Sequence, residues 1–282
     1  MNCKKCKNKS IISNYCKEHF TEYFENKVKD TIKEFDLIKK DEKICVAVSG
    51  GKDSIVLLYL LNKFKYNVFA LAIDEGIKGY RQQTIDFLKK FCEKHKIPLE
   101  IKSFREETGK DLDDMKHIGP ACNVCGTYRR FMLNKYSQEY DKIATGHNLD
   151  DEAQAVFMNL FKAQTELFDR QGPKTKEGRG FTQKIKPLYK LKEKEILAYA
   201  FIKGFDVPTE ECPYTHLSFR AKVREFINRE EAKEEGIKKN IVEKFLEIKK
   251  NDDEPIITNT CKECGYPSQE DICKACKLKK EI

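Results

Sequence analysis

Val46-Ala47-Val48-Ser49-Gly50-Gly51-Lys52-Asp53-Ser54 is the stretch on which the fold turns. Before it, Lys43 to Val48 reads as a short buried strand; after it, Asp53 to Phe64 reads as a helix. The glycines between them let the backbone approach an anion, and the first N–H groups of the helix point toward that anion. Ser49 and Ser54 add hydroxyl donors, and Lys52 adds charge. The Walker pattern is absent, because it needs four residues between its first glycine and its Gly-Lys. A bare Gly-Gly turn is common; the whole Ser-Gly-Gly-Lys-Asp-Ser string behind an apolar strand is far more specific.

Strand and helix patterns alternate outward from this loop. Asn67 to Asp74 is a strand and Tyr80 to His95 a helix. Leu99 to Phe104 is a third strand and Cys122 to Tyr140 a long helix. Asp141 to Gly146 is a fourth strand, followed by a helix from Leu149 to Phe161. The alternation predicts an α/β fold, a parallel sheet with helices on both faces. Ligands of such sheets bind at the carboxyl ends of the strands. Gln171 to Gly180 reads as a mobile loop, and Asn251 to Asn259 as a linker. Leu191 to Lys203, Phe219 to Glu235 and Ile237 to Lys250 read as surface helices. The expected units are a finger over residues 1–20, a catalytic domain over 21–250 and a ribbon over 260–282.

The longest apolar run, Ile55 to Leu61, is too short to span a bilayer, and Met1-Asn2-Cys3-Lys4-Lys5-Cys6 does not read as a signal peptide. A cytoplasmic protein without a membrane partner is expected. The net charge of +8 favours a polyanionic partner such as nucleic acid.

The 12 cysteines call for metal rather than disulfides in that compartment. Cys3, Cys6, Cys16 and His19 form one set of zinc-ligand spacing; Cys261, Cys264, Cys273 and Cys276 form another. Each set fills all four positions of a tetrahedral Zn2+ and leaves none for water, so both read as structural sites. Cys45 and Cys92 read as core packing. Cys122-Asn123-Val124-Cys125 opens a helix, and Cys212 lies far along the chain. The pair fits a redox couple, half a zinc site or part of an iron–sulfur site.

The Ser49–Ser54 string resembles the loop of the PP-loop ATP pyrophosphatases, whose members adenylate their substrates. The resemblance implies ATP contacts at Val48, Ser49, Gly50, Gly51, Lys52, Asp53 and Ser54, backbone contact with adenine near Ile73, and Gly146 beside the nucleotide. Asp53 and Asp151 would lie near Mg2+. For Asp150 and Asp151, helix capping is the simpler alternative.

The order of finger, PP-loop domain, three cysteines and ribbon is similar to that of the tRNA thiolases, both wobble-uridine and thermophilic T-loop enzymes. It implies an ATP-dependent tRNA uridine 2-sulfurtransferase with a 4Fe-4S cluster on Cys122, Cys125 and Cys212, leaving one iron open to sulfide. A persulfide on one cysteine, without a cluster, is the competing route; the third cysteine favours the cluster. Asp53, Cys122, Cys125 and Cys212 are thus the expected catalytic residues, with Arg129 near the ATP phosphates. The substrate position leans to the wobble uridine. The sulfur donor is sulfide, a persulfide or a thiocarboxylated ubiquitin-like protein, and a homodimer is expected. Arg220 and Arg224 share a helix face suited to gripping tRNA phosphate, although an ordinary charged face looks the same. His117 and His216 read as ordinary packed or exposed histidines. Other PP-loop chemistries, such as lysidine synthesis or glutamine-fed ligation, have no use for the three cysteines. A zinc-ribbon nucleic-acid-binding protein with a degenerate loop conflicts with the intact string.

Overall fold

The computed structural model describes residues 2–164, 167–168, 171–176, 180–249, 259–268 and 270–282. Helix α1 (Lys17–Glu34) is followed by β1 (Lys43–Ala47), α2 (Lys52–Lys63), β2 (Asn67–Asp74), α3 (Arg81–His95) and β3 (Leu99–Ser103). Next come α4 (Phe104–Thr108), α5 (Ala121–Tyr136), β4 (Lys142–Thr145), α6 (Leu149–Phe161) and β5 (Gln183–Ile185). Helices α7 (Glu193–Lys203), α8 (Phe219–Lys233) and α9 (Ile237–Ile248) precede a small hairpin, β6 (Asn259–Thr260) and β7 (Pro267–Ser268), and α10 (Lys274–Lys279).

The five-stranded sheet has the order β3-β2-β1-β4-β5, and every pairing in it is parallel. Side chains alternate across it as strand geometry requires. Ile44 and Val46 of β1 face one core with α1, α2, α3 and α7, while Cys45 faces a second core with α5 and the last cysteine module. Burying Ile44 or Val46 contributes about 1.5–3 kcal/mol each. The α/β expectation therefore holds, with both faces covered. The chain leaves β1 toward β2 on one side and returns beside it with β4 on the other. The crevice between the carboxyl ends of β1 and β4 is the switch point where such sheets bind ligands.

Several local readings need correction. The long α1 was not anticipated, although Phe20, Phe24, Val28 and Ile32 recur at helical spacing and are all buried. Helix α7 is not a surface helix: Ile196 and Tyr199 are fully buried, and Tyr199 stacks on Phe24 with ring centroids 4.4 Å apart. Helix α5 stops at Tyr136, four residues early, and the chain turns so that Tyr140 packs on Phe69. Gln171 to Pro173 is buried, and Thr175 N–H donates to Lys184 O at 2.9 Å, so this part of the expected mobile loop is fastened to β5. Residues 177–179 of that loop, 251–258 of the expected linker and 250 at the end of the expected last helix lie outside the described residues. Cys45 and Cys92 are buried free thiols, as expected. His117 and His216 are exposed.

Candidate active site

The phosphate loop is held by its own serines. Ser49 N–H donates to Ser54 Oγ at 3.2 Å, Gly51 N–H to Ser49 Oγ at 3.3 Å, and Ser54 Oγ–H to Gly51 O at 2.9 Å. Gly51 is the N-cap of α2 and provides no side-chain cap, so the helix's first N–H groups remain available to an anion. Gly50 has φ +84, and a Cβ there would meet Thr84 O at 2.8 Å. Gly146 closes the other wall of the crevice: its Cβ would lie 2.9 Å from both Asp53 C and Ser54 N. Gly146→Ala should therefore push the two walls apart. The expected cost is about 1–3 kcal/mol of stability, with weaker ATP binding, read by thermal melts and by nucleotide titration.

Asp53 accepts from Asn148 Nδ2 at 3.1 Å and from Lys52 Nζ at 3.1 Å. Burial pushes its carboxyl above the ordinary range; the Lys52 charge opposes this, and the Asp151 carboxylate adds to it. Two carboxylates facing each other in this way suit a divalent cation, which would relieve both. Asp151 also forms a capping box with Asn148 (3.1 and 3.2 Å), so the capping reading of that residue holds too. Asp150, by contrast, is buried and structural: it accepts from Glu193 N–H at 2.7 Å and pairs with Lys238. Lys52 has a second partner that the sequence did not suggest, Glu193, at 2.6 Å.

A buried guanidinium ties the loop to the next strand. Arg81 donates to Ser49 O and, at 2.5 Å, to Ile73 O, and its Nε lies 2.8 Å from Glu75. Glu75 in turn lies 3.8 Å from Arg129. Glu75 and Arg81 are 6% and 3% exposed, so this pair is a fixed part of the cleft wall.

Arg129 reaches toward the three cysteines; its field acts on both Cys122 and Cys125, and Cys212 acts on both thiols in turn. Cys122 Sγ–H donates to Tyr214 O at 3.4 Å. Tyr214 bonds Asp113 and lies under Lys116, which anchors the segment carrying Cys212. Burial pushes the Cys125 thiol up to about 12, against the Arg129 charge. Among the described residues, only the two terminal cysteine sets bring three or more ligand atoms within 4.8 Å of one another. The Cys122, Cys125 and Cys212 set is looser than these.

The terminal sets are tight. Cys6 Sγ lies 3.7 Å from Cys16 Sγ, and Cys264 Sγ lies 3.8 Å from Cys273 Sγ. A tetrahedron with Zn–S bonds of ~2.3 Å has edges of about 3.8 Å. His19 Nδ1 lies 3.4 and 3.3 Å from Cys3 and Cys16, in the first turn of α1. The last module packs on α5: Tyr128 O–H donates to Ala275 O at 3.2 Å, and Phe131 meets Tyr266 edge-on at 5.2 Å. Cys273→Ala should remove one ligand from the last set and, through α5, loosen the segment that carries Cys122 and Cys125. Metal analysis and a lowered Tm would read both effects.

Arg220 and Arg224 do share a face of α8, but each meets a carboxylate. Arg220 lies 3.8 Å from Asp151, and Arg224 grips Glu211 at 3.2 and 3.4 Å, beside Cys212. They line a cavity of about 200 Å³ with Asp151, Gln154, Glu193 and Ser218. A larger cavity of about 550 Å³ includes Glu42, Lys142 and Gln183 at the opposite ends of the strands, away from every motif. The smaller one matters here, because it adjoins the phosphate loop. Glu75, Arg81, Asn148 and Glu193 were missed from sequence; only Glu75, a carboxylate directly behind an apolar strand, carried any signal.

A family model described as the PP-loop domain matches residues 19–231. A tRNA-5-methyluridine(54) 2-sulfurtransferase of Pyrococcus horikoshii is 41% identical, over 100% of this chain and 96% of its own length. A cytoplasmic tRNA 2-thiolation protein 1 of Dictyostelium discoideum is 36% identical, over 95% of this chain and 78% of its own. Among solved structures, the U34-tRNA thiolase NcsA of Methanococcus maripaludis, with its 4Fe-4S cluster, matches with a TM-score of 0.84. Identity there is 36%, with 100% of this chain and 96% of that chain covered. A switch-point phosphate loop, a matching family model and full-length relatives agree: the chain belongs to the PP-loop family.

Proposed function

We propose that this protein is an ATP-dependent tRNA uridine 2-sulfurtransferase. The observation that carries the reading is a chain of ion pairs, in which Glu75 links the Arg81 brace of the phosphate loop to Arg129 beside the cysteines. Adenylation and sulfur delivery need such adjacency, because they act on one carbonyl group, the first at its oxygen and the second at its carbon. The α2 N-terminus and Ser49–Ser54 hold the ATP phosphates. Asp53 and Asp151 would hold Mg2+, which would neutralise phosphate charge. The uridine C2 oxygen attacks the α-phosphorus and pyrophosphate leaves. Sulfide-level sulfur then attacks C2, and AMP departs with the oxygen. A 4Fe-4S cluster on Cys122, Cys125 and Cys212 would supply an iron open to that sulfur. Support for the cluster over a cluster-free persulfide comes from the cluster named with the M. maripaludis structure.

The terminal cysteine sets hold two structural Zn2+ ions in small units at residues 1–20 and 260–282, around a catalytic domain at 21–250. Family resemblance supports a homodimer supplied by sulfide, a persulfide or a thiocarboxylated ubiquitin-like protein. Among the described residues no helix is long and apolar enough to cross a membrane, and a cytoplasmic setting agrees with the D. discoideum relative's name.

The wobble uridine is the preferred target, in line with the M. maripaludis structure. The T-loop uridine is a second reading, favoured by the 41% identity to the P. horikoshii enzyme. Anaerobic incubation with ATP, sulfide and tRNA, then nuclease mapping of 2-thiouridine, decides between them. AMP and pyrophosphate appearing only when tRNA is present would support the enzyme; tRNA binding without turnover would refute it.

A further inference from the structure

His147 is a cleft residue to which the reaction above gives no task. It follows Gly146 at the carboxyl end of β4, and its ring is exposed. Nδ1 lies 2.8 Å from Thr145 Oγ1, so one ring nitrogen is engaged and Nε2 is left for a ligand. The charges that act on the ring are Lys186, Glu152, Arg220 and Arg129. Arg129 belongs to the cysteine side of the cleft, and Arg220 to the Asp151 side. The imidazole follows directly on Gly146, which abuts Asp53 and Ser54 of the phosphate loop, so a base offering its C2 carbonyl to that loop can place an edge against the ring.

We propose that His147 distinguishes uracil from cytosine by a hydrogen bond from its free ring nitrogen to the Watson–Crick edge of the target base. This deepens the tRNA-thiolase reading and rests on it. The C2 carbonyl is common to both pyrimidines, so neither adenylation nor sulfur attack separates them. A neutral imidazole can, in either tautomer. If the Thr145 hydroxyl donates to Nδ1, then Nε2–H donates to uracil O4, where cytosine presents an amino group. If Nδ1–H donates to Thr145, then Nε2 accepts from uracil N3–H, where cytosine has no hydrogen. Although the residue opens to the cleft, the protein packed around it and then the Lys186 charge lower the ring's pKa, which favours its neutral form. Glu152 acts in the opposite direction but is already paired with Lys186 at 2.7 Å. A neutral histidine among cations is suited to recognition and poorly suited to taking a proton.

The test uses two transcripts that differ only by U or C at the thiolated position, in competition, with full-length protein, ATP and inorganic sulfide. Mass spectrometry of the nucleosides counts 2-thiouridine and 2-thiocytidine. Wild-type protein should strongly prefer uridine. His147→Ala should shift the U:C ratio toward unity by about tenfold or more, with ATP affinity and iron content unchanged. An unchanged ratio in an active His147→Ala protein overturns the proposal even if the rate falls. Should that variant fail to fold, Thr145→Val, which frees the tautomer, should shift the ratio in the same direction, and no shift again overturns it. Wild-type protein that thiolates neither transcript would instead bring down the functional reading itself.

Discussion

Asp53→Ala should reduce tRNA-dependent AMP formation by roughly 10²–10³-fold, the scale of losing one preorganised charge at a reacting phosphate. The variant should remain folded, because the side chain is 27% exposed and contributes nothing to either core. Its partners keep others when it is removed: Asn148 is held in the capping box with Asp151, and Lys52 also pairs with Glu193. Asp53→Asn separates charge from shape. The carboxyl has a raised native pKa, so its contribution to stability is fully present below the unfolded pKa and is lost as pH rises through the native one. At neutral pH the ionised group therefore opposes folding, and Asp53→Asn should melt no lower than wild type while losing activity. Such a trade of stability for charge is typical of a working site. Full thiolation by Asp53→Ala would sink the assignment.

Cys212→Ala should strip iron from the protein and take thiolation down to the level of metal-free protein, while ATP still binds. Cys212 is only partly buried, and its segment is pinned by Tyr214 to Asp113, so the loss is of a ligand more than of packing. Because the three thiolates act as a unit, Cys122→Ala combined with Cys212→Ala should be no worse than either alone. Cys45→Ala is the matched control: that thiol is fully buried in the sheet core, and its variant should keep its iron. A Cys212→Ala protein with normal iron and sulfide would exclude Cys212 as a ligand and overturn the three-cysteine cluster.

What was legible in the sequence is what is local. The phosphate loop, both zinc sets and the Cys122–Cys125 pair each lie within a short span, where spacing translates directly into geometry. Strands β1 and β2 announced themselves through continuous apolar runs. Strand β5, Gln183–Ile185, is three residues long and mostly polar, and nothing in it suggested a strand. Helix α1 was legible in principle from its Phe20, Phe24, Val28 and Ile32 spacing. The ion pairs of the cleft were not: Lys52 with Glu193, and Arg129 with Glu75, join residues far apart in the chain whose charges look like ordinary surface. The same holds for Arg224, which reads as a phosphate grip and whose pairing with Glu211, next to Cys212, nothing local suggested. Cys212 itself entered the site only through resemblance.

The pairing of Lys52 with Glu193 bears on turnover. In the proposed role, an arriving phosphate must win the ammonium from a carboxylate 2.6 Å away, and a departing one leaves it to a waiting replacement. Glu193 thus acts as a resident competitor with the effective concentration of a tethered ligand. It weakens the grip on ATP and, by the same amount, on spent pyrophosphate. A loop built this way gives up affinity for clearance, and so keeps from being jammed by its own product.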